Sequence, residues 1–98
     1  KLINCTFESH LRKFKYGQHL TWHNDKGDKR TYAATYYFNH RWGESWGGEL
    51  MFKDKLGSGF IPIVGNSILI VKVGLRHKVN ANLKKTHDRM SIQTWIDN

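Results

Sequence analysis

Short runs in which apolar and polar residues alternate recur along the chain and predict strands rather than helices. Alternation with a period of two is typical of a strand with one buried face. The segments between the runs are rich in glycine, asparagine and lysine, which predicts turns. The predicted strands are Leu11–Tyr16, Leu20–His23, Arg30–Asn39, Glu49–Phe52, Phe60–Val64, Ser67–Val73, His77–Leu83 and Arg89–Ile96.

Three of these strands carry more specific information. Arg30–Asn39 is rich in Thr, Tyr and Phe, which suits a pleated surface, and its odd positions share one face. Ser67–Val73 is almost wholly Ile, Leu and Val, which predicts burial on both faces. Pro62 has no amide hydrogen to donate, so Phe60–Val64 is expected at the edge of a sheet.

The number and spacing of the strands predict the fold class. About eight short strands, separated by glycine-rich turns and with no convincing amphipathic helix, favour an all-β sandwich or closed barrel. A double-stranded jelly roll of two Greek keys is the solution that uses about eight strands. A loop that contains Trp42 and Trp46 separates the third strand from the fourth.

Length and composition indicate one folded domain over residues 1–98. Five Phe, four Tyr and four Trp make disorder unfavourable in a chain of 98 residues. No apolar run reaches the roughly 20 residues needed to cross a bilayer, so we expect no membrane span. The single cysteine cannot form an internal disulfide, which agrees with a cytoplasmic location.

The formal net charge of +8 raises the question of an anionic partner. Such an excess attracts a polyanion, an acidic protein or an anionic co-substrate. Solvated turns and strand faces account for the same clusters without any partner, and no Arg-rich helix or stacking motif of a dedicated nucleic-acid module is visible. The basic clusters are Arg12/Lys13/Lys15, Lys26/Lys29/Arg30, Lys53/Lys55 and Lys84/Lys85.

His23 and Asp25 form a candidate metal site at the end of a predicted strand. Two residues apart on extended backbone, their side chains project to the same side and can reach one ion. His77, at the start of another predicted strand, can supply a third ligand. Two histidines and one carboxylate form the facial triad of non-haem Fe(II) oxygenases, which leaves positions open for co-substrate and O2. A surface turn capped by Asp25 is the structural alternative.

Arg89 and Ser91 form a second candidate pair. Two residues apart on a predicted strand, they share a face. A guanidinium with a hydroxyl beside it is well suited to a carboxylate, because two parallel charge-assisted hydrogen bonds fix both its plane and its charge.

Taken together, these segments resemble the 2-oxoglutarate- and Fe(II)-dependent dioxygenases, most closely those of prolyl hydroxylase type. The resemblance runs from about Leu11 to Ile96, and each of its motifs is common by itself. The motifs, in order, are Tyr16-Gly17, His23-Asn24-Asp25, Tyr36-Tyr37-Phe38-Asn39 followed by Trp42, Trp46-Gly47-Gly48-Glu49-Leu50, His77-Lys78-Val79, and Arg89-Met90-Ser91-Ile92 with Trp95.

The resemblance implies that His23, Asp25 and His77 are the catalytic metal ligands and hold Fe(2+). It implies that 2-oxoglutarate and O2 are co-substrates and leaves open whether ascorbate is needed. It further implies that the distal carboxylate of 2-oxoglutarate is bound by Arg89, with help from Ser91 and Tyr37, and that Tyr16 lines the co-substrate pocket. Because Asp25 fills the coordination position that a halide takes in related halogenases, hydroxylation is favoured over halogenation.

Substrate and domain context are less specified. A prolyl residue in a peptide or protein is the first expectation, with Arg30, Trp42 and Trp46 as candidate substrate contacts, although both tryptophans also suit loop packing. A nucleic-acid or small-molecule oxygenase of the same fold, and a non-catalytic jelly-roll binding module, remain open. Family members carry upstream helices over the large sheet, so this chain is either a trimmed core or is covered in another way. The oligomeric state is not indicated.

Overall fold

In a computed structural model that describes residues 5–27 and 29–97, the chain forms two antiparallel four-stranded sheets. A short 3-10 helix, Glu44–Trp46, interrupts the loop between β3 and β4. The strands are β1 Thr6–Phe14, β2 Leu20–His23, β3 Arg30–Tyr37, β4 Leu50–Asp54, β5 Gly57–Ile61, β6 Ser67–Lys72, β7 Arg76–Val79 and β8 Arg89–Asp97. The expected all-β jelly roll, or double-stranded β-helix, is therefore confirmed.

The large sheet has the strand order β1-β8-β3-β6. Its inner face carries Ala33, Thr35 and Tyr37 of β3, all buried, so the odd positions of this strand point into the protein. On β8 the same face carries Arg89, Ser91 and Trp95, since Tyr37 pairs with Ser91 and Ala33 pairs with Trp95. Strand β1 pairs with β8 from Thr6 to Phe14 without a register shift. Polar side chains thus lie side by side within the core.

The small sheet has the order β2-β7-β4-β5 and faces the inner side of the large sheet. Its inner face carries Leu50 and Val79, which are 5% and 8% exposed, together with His77 at 5%. A register shift between Leu20 and His23 shows a bulge in β2. Bulges bend a strand and redirect its side chains, and this one immediately precedes His23.

Asn82 joins the loops at one end of the two sheets. Its side chain is wholly buried, and its amide nitrogen donates to the carbonyl oxygens of Phe14 and His87 at 3.0 and 2.7 Å. Its amide oxygen accepts a hydrogen bond from the backbone of Lys84 at 2.8 Å. The main chain of Asn82 also bonds to Gly17 at 2.7 Å. The β1–β2 and β7–β8 connections are therefore held together at this end.

Several predicted boundaries were wrong. Strand β1 begins at Thr6 rather than Leu11, and β7 ends at Val79 rather than Leu83. Strand β5 is Gly57–Ile61, so the expected long turn is a tight one at Lys55 and Leu56, and Pro62 follows the edge strand instead of lying within it. In all these cases cross-strand pairing, which is invisible to a local pattern, sets the ends.

The prediction that β6 is buried on both faces was also wrong. Ile68 and Ile70 are 63% and 61% exposed, whereas Leu69 and Val71 point inward. Burial on both faces requires a further layer over the outer surface. No helix among the described residues is long and apolar enough to cross a membrane.

Candidate active site

Strands β2 and β7 bring two histidines together. His23 and His77 are direct partners in the antiparallel pairing, and their ring centroids lie 4.2 Å apart. Both side chains point to the inside of the sandwich, where His77 is 5% exposed and His23 is partly exposed. Two residues 54 positions apart in the sequence are thus neighbours because the strands that carry them pair.

Asp25 completes the group by a route that the sequence did not predict. Strand β2 ends at His23, and Asp25 has a positive φ of 59°, so the extended geometry expected for His23 and Asp25 was wrong. The turn nevertheless returns the carboxylate to both imidazoles. Oδ1 lies 3.4 Å from Nε2 of His23, and Oδ2 lies 2.9 Å from Nε2 of His77. One ligand atom from each residue lies within 4.8 Å of the others.

Backbone carbonyls fix the orientation of the two imidazole rings. Nδ1 of His23 lies 2.7 Å from the carbonyl oxygen of Thr21, and Nδ1 of His77 lies 2.8 Å from that of Leu75. A carbonyl can only accept, so Nδ1 is the donor in both rings and Nε2 is directed at Asp25. A hydrogen bond of this kind from the second nitrogen is typical of histidines that bind metals.

The charges of these groups are coupled. Burial by itself raises the pKa of Asp25, but the hydrogen bond to His77 and the nearby imidazoles outweigh it, so the pKa is lowered. Burial by itself lowers the pKa of His77, but the hydrogen bond to Asp25 outweighs it and the pKa is raised. The site therefore favours an ionised carboxylate facing a positive charge. A divalent cation satisfies the same three ligand atoms, so the donor set fits Fe(2+).

A second polar group lies on the large sheet. Arg89 is 2% exposed, and its Nε donates to the carbonyl oxygen of Gly48 at 2.8 Å. Nη1 lies 3.4 Å from Oγ of Ser91, which is also 2% exposed. The guanidinium carbon lies 5.0 Å from the ring centre of Phe14 and 5.2 Å from that of Tyr37. No carboxylate of the described residues pairs with Arg89, and a buried unpaired charge is costly unless an anionic ligand joins it.

Tyr37 has a buried hydroxyl beside this guanidinium. The residue is 1% exposed, and within residues 5–27 and 29–97 its Oη finds no hydrogen-bond partner of good geometry. Burial raises the pKa of Tyr37, against the smaller opposite effect of Arg89, so the phenol is neutral and able to donate. The Arg89 guanidinium can only donate to this oxygen, so the hydroxyl hydrogen is left for an acceptor that the described residues do not supply.

One cavity of about 240 Å³ contains both groups. On the side of the small sheet it is lined by His23, His77 and the adjoining Asp25. On the side of the large sheet it is lined by Arg89 and Ser91. Thr35 and Gln93 form a 2.7 Å hydrogen bond in its wall. The remaining wall is mainly apolar, with contributions from Leu20, Leu50, Leu69, Val71, Val79 and Trp95. The cavity can thus hold a small diacid between a metal ion and a guanidinium.

The other predicted residues are placed differently. Arg30 lies beside Asp25: its Nη1 donates to the carbonyl oxygen of Asp25 at 3.3 Å, and its guanidinium lies 4.3 Å from the Trp95 ring centre and 3.9 Å from the Glu8 carboxylate. Tyr16 is 52% exposed, and its ring lies 5.3 Å from Nζ of Lys85. The expectation that Tyr16 lines the co-substrate cavity is therefore not met, because β1 ends at Phe14 and the chain turns away.

Trp42 and Trp46 are not brought to the metal ligands either. Their rings pack edge to face at 5.3 Å, and Nε1 of Trp42 donates to the carbonyl oxygen of Gly47 at 2.7 Å. Trp42 borders a separate groove with Glu49 and Phe60. The structure thus supports the packing role that was the alternative for both tryptophans.

Sequence reasoning missed the part played by Gly48. Its φ is +75°, and a Cβ at this position would lie 3.0 Å from Cδ of Arg89. Glycine is therefore needed both for the backbone conformation and for the close approach of the arginine that its carbonyl binds. The Gly47-Gly48 pair was a visible signal, but its partner Arg89, 41 residues downstream of Gly48, was not. Gln93 and Thr35 in the cavity wall gave no signal at all.

Solved structures with the same fold include three oxygenases. A Pseudomonas putida prolyl-4-hydroxylase is 24% identical with a TM-score of 0.84, over 94% of this chain and 52% of that chain. A Burkholderia pseudomallei oxidoreductase of the 2OG-Fe(II) oxygenase family is 10% identical with a TM-score of 0.81, over 95% and 43%. A Trichoplax adhaerens prolyl hydroxylase, in complex with a hypoxia inducible factor peptide fragment, is 19% identical with a TM-score of 0.73, over 95% and 42%.

The chain thus spans about half the length of these proteins. No match is found among curated proteins. The family profile of the 2OG-Fe(II) oxygenase superfamily, however, matches residues 9–97, which include every residue of the two groups in the cavity. With that match over nearly all of its length, the chain belongs to the 2OG-Fe(II) oxygenase superfamily.

Proposed function

We propose that this chain is the core of an Fe(II)- and 2-oxoglutarate-dependent dioxygenase that hydroxylates a C–H bond of a prolyl residue in a peptide or protein. One observation carries the proposal: a His-Asp-His group and a buried guanidinium without a carboxylate partner line the same cavity. A histidine–carboxylate cluster alone, or a buried arginine alone, also occurs in proteins with purely structural ion pairs. Their combination in one cavity matches the two ends of a chelating diacid.

His23, Asp25 and His77 are the residues that would hold the iron. In both histidines a hydrogen bond from Nδ1 to a backbone carbonyl keeps Nε2 directed inward. The hydrogen bond from Arg30 to the Asp25 carbonyl stabilises the turn. When bound, Fe(2+) together with 2-oxoglutarate and O2 supplies the oxidising chemistry, with succinate and CO2 released. The residues themselves provide position and charge.

Arg89, Ser91 and Tyr37 are the residues that would bind the distal carboxylate of 2-oxoglutarate. The guanidinium supplies charge-assisted hydrogen bonds, and the unpartnered Tyr37 hydroxyl supplies a further donor. The Gly48 carbonyl holds Nε, Nη1 lies beside the Ser91 hydroxyl, and both Arg89 and Ser91 line the cavity. The aliphatic side chains in the cavity wall lower the polarity around the two groups, which strengthens these interactions.

The prolyl substrate is supported by likeness to known enzymes and by the surroundings of the metal group. Two of the similar structures are prolyl hydroxylases, and one of them holds a peptide. In this chain Arg30 lies beside Asp25, where its guanidinium packs on Trp95. We assign Arg30 to peptide binding beside the metal group. Trp42 and Trp46 are not used in the proposal.

The test combines a binding measurement with a product measurement. Fe(2+) added without oxygen, followed by 2-oxoglutarate, should give a weak visible charge-transfer band in the folded protein. Absence of the band in folded, iron-loaded protein would contradict the oxygenase proposal.

With O2, proline-containing peptides should gain the mass of one oxygen, and matched peptides with alanine in place of proline should not. If nucleosides or free amino acids are oxidised instead, the activity stands and the prolyl substrate is wrong.

A further inference from the structure

The outer face of the small sheet carries a cluster of one indole and three cations. Because His23 and His77 point inward, their neighbours Trp22, Arg76 and Lys78 point outward. Nζ of Lys53 and of Lys78 lie 4.6 and 5.3 Å from the Trp22 ring centre, and the Arg76 guanidinium carbon lies 5.9 Å from it. We call these four residues the Trp22 face.

The three cations of the Trp22 face have no counter-charge among the residues that the structure describes. None of them forms a salt bridge with a described carboxylate. Lys53 pairs directly with Arg76 across β4 and β7, so like charges are opposed at one level of the sheet. Such pairs are destabilising without an anion. The interaction with the indole compensates only in part.

The positive charge of the Trp22 face falls off toward β5. Beyond Met51 of β4, the outer surface of the small sheet continues into Phe60 of β5, and β5 carries no charged residue. Glu49, which immediately precedes β4, accepts a 2.6 Å hydrogen bond from Asn80 through its carboxylate. A polyanion is therefore attracted to the β2, β7 and β4 part of the small sheet, and β5 offers it no charge.

We propose that the Trp22 face binds single-stranded nucleic acid. A nucleotide uses both features of the face, since its base can stack on the indole and its phosphates can pair with Lys53, Arg76 and Lys78. An acidic polypeptide would use the charges but would bring no aromatic base to stack on the indole. The net charge of +8 strengthens the attraction at longer range.

This proposal is independent of the oxygenase activity, because the Trp22 face lies on the opposite side of β2 and β7 from the cavity. A protein without turnover could still bind nucleic acid here. Conversely, an active oxygenase could fail to do so.

The experiment measures fluorescence anisotropy of a labelled single-stranded oligonucleotide of about ten nucleotides, a usual site size for one small domain. The variant Lys53→Ala with Lys78→Ala removes two charges from the face. It should weaken binding and reduce the slope of log affinity against log salt by about 1.4, the value for two lost phosphate contacts on a single strand. Lys84→Ala with Lys85→Ala removes the same net charge elsewhere and should leave the slope within about 0.3 of wild type.

Trp22→Ala tests the stacking contribution. Loss of one stacked base should lower affinity by about fivefold or more without changing the salt slope. Retention of the Fe(2+) and 2-oxoglutarate band in each variant shows that the fold is intact. Equal losses in both lysine pairs would overturn the proposal, because binding would then follow net charge alone. Tighter binding of a polyglutamate peptide than of the oligonucleotide would overturn it as well.

Discussion

The two ends of the cavity are built in different ways. At the metal end, the small sheet holds the ligands through short strands, a bulge and a left-handed turn at Asp25. At the anion end, Arg89 and Ser91 lie on β8, which pairs with β3 over most of its length. Both side chains are almost fully buried. The metal end therefore depends on local backbone geometry, and the anion end depends on burial.

Because of this difference, we expect substitutions at one end of the cavity to affect the ligand of that end and not the ligand of the other. Ligands to a metal ion act together, so removing one disrupts the whole group. The anion end contains several donors of unequal weight, so its loss is graded. Four substitutions, taken from the largest expected effect to the smallest, test this contrast.

His77→Ala should abolish iron binding and activity while leaving the anion end intact. The variant loses the most buried ligand of the three and leaves the Asp25 carboxylate without its closest partner. We expect the charge-transfer band to disappear in the anaerobic titration. His87→Ala is the matched control, because His87 is exposed and contacts Trp46 at 4.8 Å rather than the metal group. A normal band in His77→Ala would disprove the ligand assignment.

Arg89→Ala should raise the KM for 2-oxoglutarate and leave Fe(2+) affinity unchanged. Truncating one partner of a buried charge pair costs about 2 kcal/mol or more, which corresponds to roughly thirtyfold in KM. Arg41→Ala, at an exposed position, is the control for loss of charge. Kinetics at varied 2-oxoglutarate, together with iron titration, make the measurement. If iron is lost too, the two ends are not separable and the role given to Arg89 is wrong.

Gly48→Ala should disturb the anion end through Arg89. The left-handed conformation costs about 1 to 2 kcal/mol for a residue with a Cβ, and the added methyl would also press on Cδ of Arg89 at 3.0 Å. Gly17→Ala has the same kind of penalty, with φ at +82°, but its Cβ would meet nothing within 4 Å. Both variants should unfold at lower denaturant concentration. Only Gly48→Ala should raise the KM for 2-oxoglutarate, by about tenfold if the guanidinium is misplaced.

Tyr37→Phe should have the smallest effect. Apart from its contact with Arg89, the hydroxyl has no hydrogen-bond partner of good geometry among the described residues, so its removal should change the free energy of unfolding by less than about 0.5 kcal/mol. The KM for 2-oxoglutarate should rise by about threefold, the value of one hydrogen bond to the ligand. In Tyr36→Phe a 2.7 Å bond to Asn66 is lost instead. That variant should lose some stability with no change in KM; the reverse pattern would contradict the assignment.

The sequence predicted the candidate residues at both ends of the cavity, because their chemistry depends on residue types at a fixed spacing along strands. On any strand, residues two positions apart lie on the same face. This alternation was sufficient to group the odd positions of β3 and to pair Arg89 with Ser91. The choice of His77 as the third ligand stays a prediction, and the pairing of His77 with His23 supports it. These inferences needed only the strand period and the residue types.

What the sequence could not give depends on tertiary pairing. Asp25 has a left-handed backbone conformation, which directs its carboxylate toward the histidines, whereas the spacing alone favoured an extended conformation. Exposure of Ile68 and Ile70 depends on what lies outside the sheet, and their composition alone favoured burial. Tyr16 was assigned to the cavity by a motif, but the end of β1 at Phe14 turns it away. Local patterns do not contain these relations.

The buried Asn82 has a consequence for how the sandwich can open. Its amide fastens the end of β1 to the loop before β8 at the anion end, close to Phe14 beneath Arg89. Separation of the two sheets at this end would break these buried hydrogen bonds, so we expect the sandwich to open more readily at the end that carries the imidazoles. A diacid bound at Arg89 would then stay in place while a substrate enters beside the imidazoles, so entry of one reactant would not require release of the other.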